Sequence, residues 1–139
     1  SFMVSADNAH AVHPNHPEKA DPINRPMINK GIVIKFNAAQ HYTTDAVSCA
    51  VYRDLCESND IPVQVFTNRS DTRGGSTLGN VSNAHVSLNT VDIGLAQLAM
   101  HSCYETVGAR DTKHLVDAMT IFYSKTFRVD AGGSFELLD

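Results

Sequence analysis

The chain has 139 residues, 42% of them apolar and 19% charged, with a net charge of −4. That is the make-up of one ordinary globular domain with room for a core. The acidic balance argues against nucleic acid or an anionic membrane as a partner, and no apolar run reaches the roughly 20 residues of a membrane-spanning helix.

Phe2-Met-Val4 reads as the end of a buried strand. A domain rarely opens on an interior strand, which needs neighbours on both sides, so the chain is expected to be the carboxyl-terminal part of a longer protein. No basic amino-terminal segment with a small-residue cleavage site is visible. Residues 7–30 form a long loop rich in His, Pro and Asn, and loops of that length are usually functional or disordered. Ile32-Val-Ile-Lys-Phe36 is a strand covered on both faces. Thr43 or Thr44 caps a helix with Asp45 in its first turn, and Ala46, Val47, Ala50, Val51 and Leu55 form its apolar stripe to about residue 58.

Residues 61–67 read as the next strand. Residues 68–80 form a glycine-containing turn that opens into a short helix at 77–85, and residues 86–93 make a further strand. A loop around His101 follows. Asp111 or Thr112 caps a last helix with Leu115, Val116, Met119, Phe122 and Tyr123 on one face. The tail from Val129 frays, with Phe135, Leu137 and Leu138 able to dock. The alternation predicts an α/β fold, a layered mixed sheet flanked by helices, in one domain. Cys49 and Cys56 would lie about 10 Å apart on one helix, beyond the roughly 7 Å that a disulfide allows. With Cys103 remote and no Cys-x-x-Cys pair, reduced thiols in a reducing, cytoplasmic compartment are expected.

Several residues could carry chemistry. Asp7 and His10, a carboxylate and an imidazole three residues apart at a strand end, suit a cation such as Zn²⁺. Asp7 is equally read as an Asp opening a turn. His13 and His16 are loop residues, because Pro14 and Pro17 forbid a helical ligand face. Lys35 either sits at a strand end with its head in water or meets an anion in a cleft. Tyr42 could be core filling, and His101 a satisfied core histidine that Glu105 orients. Gly74-Gly-Ser-Thr-Leu-Gly79 lacks the Gly-Lys-[Ser/Thr] ending of a P-loop. It could still present backbone N–H groups near a substrate.

Taken together, Ser5-Ala-Asp-Asn-Ala-His-Ala-Val-His-Pro14, Asn24-Arg-Pro26, Lys30-Gly31, Val33-Ile-Lys35, Asn68-Arg-Ser-Asp-Thr72, Gly75-Ser-Thr-Leu-Gly79, Asp92-Ile-Gly94 and Gln97-Leu-Ala-Met-His-Ser102 resemble the aspartyl aminopeptidases. These are dizinc exopeptidases, and the likeness runs nearly to the last helix. The resemblance implies that Asp7 and His101 are zinc ligands, and that Asp7, His10, Lys35 and Tyr42 line the substrate site. It implies removal of amino-terminal Asp or Glu from peptides by metal-activated water, with Lys35 pairing the substrate carboxylate and His10 stabilising the oxyanion. Two zinc ions are implied, with Mn²⁺ or Co²⁺ as possible replacements, together with assembly into a large homo-oligomer.

One departure qualifies that expectation. The family's other ligands (a His, a bridging Asp and a Glu), its general-base Glu and its assembly domain all precede the Ser5-Ala-Asp7 strand, and none of those motifs occurs here. Residues 1–139 would be the carboxyl-terminal part of one catalytic domain. They carry two of five ligating side chains and no general base, and are expected to be inactive alone. The alternatives are a dizinc aminopeptidase of different specificity and a non-catalytic relative with an assembly or cargo-binding role.

Overall fold

In the computed structural model, which describes residues 1–138, strand β1 (Phe2–Ala6) and the two-residue β2 (Ala9–His10) come first, and a single 3-10 turn (Pro17–Lys19) follows. Then come β3 (Ile32–Phe36), α1 (Ala46–Glu57), β4 (Val63–Thr67), α2 (Leu78–His85), β5 (Asn89–Gly94), β6 (Ala96–Leu98), β7 (Thr106–Val107), α3 (Ala109–Ser124), β8 (Thr126–Val129) and β9 (Phe135–Leu138). The main sheet runs β1-β5-β3-β4 and is mixed: β1 is parallel to β5, β3 parallel to β4, and β3 antiparallel to β5. A smaller sheet, β2-β6-β7, continues from the ends of β1 and β5. β1 is therefore an edge strand among the described residues and not an interior one.

Period-2 alternation divides the core. Ile32 and Ile34 of β3 join Val91 and Ile93 of β5 and Tyr52, Leu55, Cys56 and Ala118 of the helices in one cluster. Val33 points the other way, to Ala9, Tyr42, Phe66 and Ala96. Both faces of β3 are covered, as its unbroken apolar run predicts. Lys35 shares the face of Val33 and is 2% exposed.

Asp45 itself caps α1. Its carboxylate accepts from the Ser48 N–H at 2.7 Å, and its own N–H donates to Ser48 Oγ at 2.9 Å. That capping box fixes the rotation of the helix, which buries Ser48, Tyr52, Leu55 and Cys56 and turns Ala46, Val47 and Ala50 outward. The expected stripe is thus off by part of a turn, because the large Tyr52 takes the core. Asp45→Ala should lower stability by about 1 kcal/mol, which a urea melt would measure.

Gly108 caps α3, and Asp111 is spent elsewhere: fully buried, it accepts from the Asn29 N–H at 2.6 Å and the Gly31 N–H at 2.8 Å. Leu115, Ala118 and Phe122 face the core while Val116 and Tyr123 stay exposed. Within the described residues the tail does not fray but closes the β8–β9 hairpin, where the Phe127 ring packs tilted against Phe2 at 4.9 Å and Phe135 at 5.4 Å between ring centroids. Leu137 packs against the core and Leu138 remains exposed. All three cysteines are free thiols, and burial pushes Cys56 up to about 12.

Candidate functional site

The site begins where β1 crosses from one sheet to the next. Ser5 is in register with Asp92 and Ala6 with Ile93. The Asp7 N–H then donates to Ile93 O at 2.9 Å, and the Ala9 N–H to Leu95 O at 2.9 Å. Asp7 and Asn8 pass directly over Gly94, where an added Cβ would sit 2.0 Å from Asp7 O and 2.8 Å from Asn8 Cα. Glycine is required there by close approach. The crossing leaves the Asp7 side chain 58% exposed at the carboxyl end of β1, where open α/β sheets gather ligands.

Lys35 is buried beside it. Its Nζ donates to Asp7 O at 3.0 Å and to Asn8 O at 3.4 Å, lies 3.7 Å from Asp7 Oδ2, and sits 4.8 Å from the centroid of the Tyr42 ring. Burial pulls its pKa below the ordinary lysine range, with the Asp7 and Asp92 carboxylates working against that. Tyr42 is both core filling and the aromatic floor beneath the ammonium. Burial raises its hydroxyl pKa.

Two supporting residues act differently from the sequence reading, which gives Asp92 no role of its own and Gly79 only a backbone N–H towards substrate. Asp92, fully buried, accepts at Oδ2 from Thr43 N at 2.6 Å and from Thr43 Oγ1 at 2.7 Å, and its own N–H donates to Thr44 Oγ1 at 2.8 Å. The two threonines expected to cap α1 are thus tied to the sheet. An acidic residue inside the apolar run Val91-Asp-Ile93 is the signal that could have revealed it. Gly79 is the second. Its N–H donates to Ser5 Oγ at 3.0 Å, and a Cβ there would meet Ser5 Cβ and Thr43 Oγ1 at 2.9 Å. This contact draws the glycine-containing loop to the strand end, where Ser76, Thr77 and Leu78 line a hollow with Asp7.

His101 follows β6 in a turn whose Ala99 and His101 have φ of 55° and 66°. Such left-handed non-glycine residues cost of order 1 kcal/mol or more each and cluster at functional sites. Glu105 accepts from the His101 backbone N–H at 2.7 Å, so it sets the turn and does not orient the ring. His10 connects the two halves. Burial first, then the charges of His101 and Lys35, lower its pKa, so its ring stays neutral to a lower pH than an ordinary histidine. The fold therefore groups Lys35 with Asp7 and Tyr42, and the charges of Lys35 and His101 both bear on His10. His13 and His16 pair with each other at 5.4 Å between ring centroids, and His16 reaches Glu18 at 3.2 Å.

Among the described residues no group of three or more His, Cys, Asp or Glu side chains is placed to hold a metal ion. The exposed Asp7 carboxylate and the imidazole of His101 are both of a donor type that zinc accepts.

Residues 1–123 match the family model described as aminopeptidase I zinc metalloprotease (M18). The chain belongs to the M18 aminopeptidase family. It is 53% identical over 124 residues to a probable M18 family aminopeptidase 2 of Clostridium acetobutylicum, covering 89% of this chain and 29% of the relative. Among solved structures it resembles a chain of the cryo-EM structure of the Ape4 and Nbr1 complex (TM-score 0.86, 41% identity, 88% of this chain and 23% of that one). It also resembles the S. cerevisiae mApe1 dodecamer (TM-score 0.78, 31% identity, 89% and 27%). This M18 chain spans about three-tenths of the length of the curated relatives it matches. Their fold confirms the mixed α/β architecture. The β8–β9 hairpin lies beyond the residues matched to the family.

Proposed function

We propose that residues 1–139 supply the carboxyl-terminal part of the catalytic domain of a zinc-dependent aminopeptidase that removes acidic residues from peptide amino termini. One observation carries this reading: a buried ammonium, Lys35, lies 3.7 Å from an exposed carboxylate, Asp7, at the strand end. A buried cation needs anionic or carbonyl partners, and with two donors given to carbonyls the third is left for a carboxylate. Zinc bound by Asp7 and His101, with further ligands from outside this segment, would polarise the scissile carbonyl and lower the pKa of water. Asp7 holds its place through the Gly94 crossing, and Lys35 and Tyr42 orient the acidic side chain. His10, whose ring stays neutral to a lower pH than an ordinary histidine, donates a hydrogen bond to developing negative charge. Peptides with an acidic first residue, a homo-oligomer like that of the mApe1 dodecamer and a cytoplasmic setting belong to the same proposal.

A second reading, an aminopeptidase of another preference, is favoured by one fact. Two of the three Lys35 donors already go to the carbonyls of Asp7 and Asn8. Lys35→Met separates the two in the zinc-loaded enzyme. As an acidic reader its loss should cut kcat/KM for Asp-peptides at least ~100-fold and for Ala-peptides less than ~10-fold. Equal losses on both would assign Lys35 to holding the turn only.

A further inference from the structure

His10 has a second side. It also lines a cavity of about 280 Å³ together with Ala11, His13, His16, Pro26, Phe66 and Leu98. Lys35, Tyr42 and Asp7 do not line it. We infer that this cavity is the subsite for the residue that follows the cleaved bond, and that it selects a medium-sized to large apolar side chain there. The inference rests on the proposed function only for the direction of the peptide: the acidic first residue occupies the Lys35 side of His10, so the remainder leaves on the other.

The chemistry of the lining favours an apolar occupant. Its floor is hydrocarbon, with Phe66 and Pro26 buried. Besides Lys19, the charged side chains in the lining are already spent: Arg69 Nε and Nη2 donate to Asp71 at 2.8 and 2.6 Å and Nη1 donates to Glu18 O, while Asp21 Oδ1 accepts from the Ile23 and Asn24 N–H groups at 3.0 and 2.7 Å. The volume lies just under the roughly 300–1,000 Å³ of pockets that enclose a whole small ligand, which suits one side chain. The walls are also preformed. Arg69 clamps the β4 end to the 3-10 turn through Glu18 O, Asn24 Nδ2 donates to Thr67 Oγ1 at 3.1 Å, and Val12 N–H donates to Pro26 O at 2.9 Å. His13 and His16, which the metal reading leaves idle, become part of the rim.

The test follows ¹⁵N shifts of the chain on titration with the dipeptides Asp-Gly, Asp-Leu, Asp-Phe and Ala-Leu, with and without Zn²⁺. Asp-Leu and Asp-Phe should bind about 10-fold more tightly than Asp-Gly, and their shifts should centre on Ala11, Phe66 and Leu98. Ala20→Phe, which fills the cavity from the loop side, should erase that difference. Leu98→Ala, which enlarges it, should move the preference from Leu towards Phe. The same two shifts in preference are expected in kcat/KM of the zinc-loaded enzyme. Equal affinity for Asp-Gly, Asp-Leu and Asp-Phe, or a preference untouched by both variants, would overturn the inference. A Leu-over-Gly preference with Ala-Leu bound as well as Asp-Leu would uphold the cavity while overturning the acidic reading.

Discussion

Gly94→Ala should unseat Asp7 and cost about 3 kcal/mol of stability. The added methyl would fall 2.0 Å from Asp7 O and 2.8 Å from Asn8 Cα, and both obstacles are backbone. No rotamer change relieves the clash. Either β5 retreats or the Asp7–Asn8 crossing lifts, and the second breaks the two carbonyl bonds that hold the Lys35 ammonium. Gly75→Ala is the matched control, since nothing lies within 4 Å of its Cβ position, and its effect should stay within about 0.5 kcal/mol. Urea melts give the energies, and ¹⁵N shifts of Asp7 and Asn8 report the displacement. A Gly94→Ala chain as stable as the parent, with unmoved Asp7 and Asn8 resonances, would show that the crossing has slack.

Asp111→Ala should cost about 3 kcal/mol, because it strands two backbone N–H groups that the carboxylate satisfies. Both belong to the turn that delivers β3, and the Asn29 side chain answers by accepting from the Arg110 N–H at 3.1 Å. The turn is itself constrained: Asn29 has φ of 63° and Gly31 of 111°, and a Cβ on Gly31 would meet Pro62 O at 2.1 Å. Asp111→Asn keeps one acceptor oxygen and should recover roughly half the loss. Equal melts for Asp111→Ala and the parent would mean that water replaces the carboxylate.

The parts of the fold that are legible in the sequence are those written in contiguous chemistry. Ile32–Phe36 announces a doubly covered strand because Ile32, Val33 and Ile34 in succession need burial. The glycine-containing turn before α2 and the strand at β5 are legible for similar local reasons. The rotation of α1 is not, since Ala46, Val47 and Ala50 form as good a stripe as Ser48, Tyr52 and Cys56 until the capping box chooses between them. Asp111 looks like a cap in sequence, and only the distant Asn29–Gly31 turn shows its other employment. Within the site, the motif around Asp7 marks the corner, but the threonine partners of Asp92 and the close backbone approach at Gly94 emerge only in the folded chain. The hairpin of residues 126–138 escapes for a further reason: its strands are stabilised by Phe2 at the other end of the chain.

The most direct test of the central claim, that folding carries an early carboxylate and a late imidazole into one metal-competent corner, is a Zn²⁺ titration of the ¹⁵N-labelled chain. Asp7 and His101 should shift together along one binding curve, and Asp7→Ala should abolish the response at His101. Zinc that perturbs His13 and His16 while leaving Asp7 and His101 unmoved would contradict it.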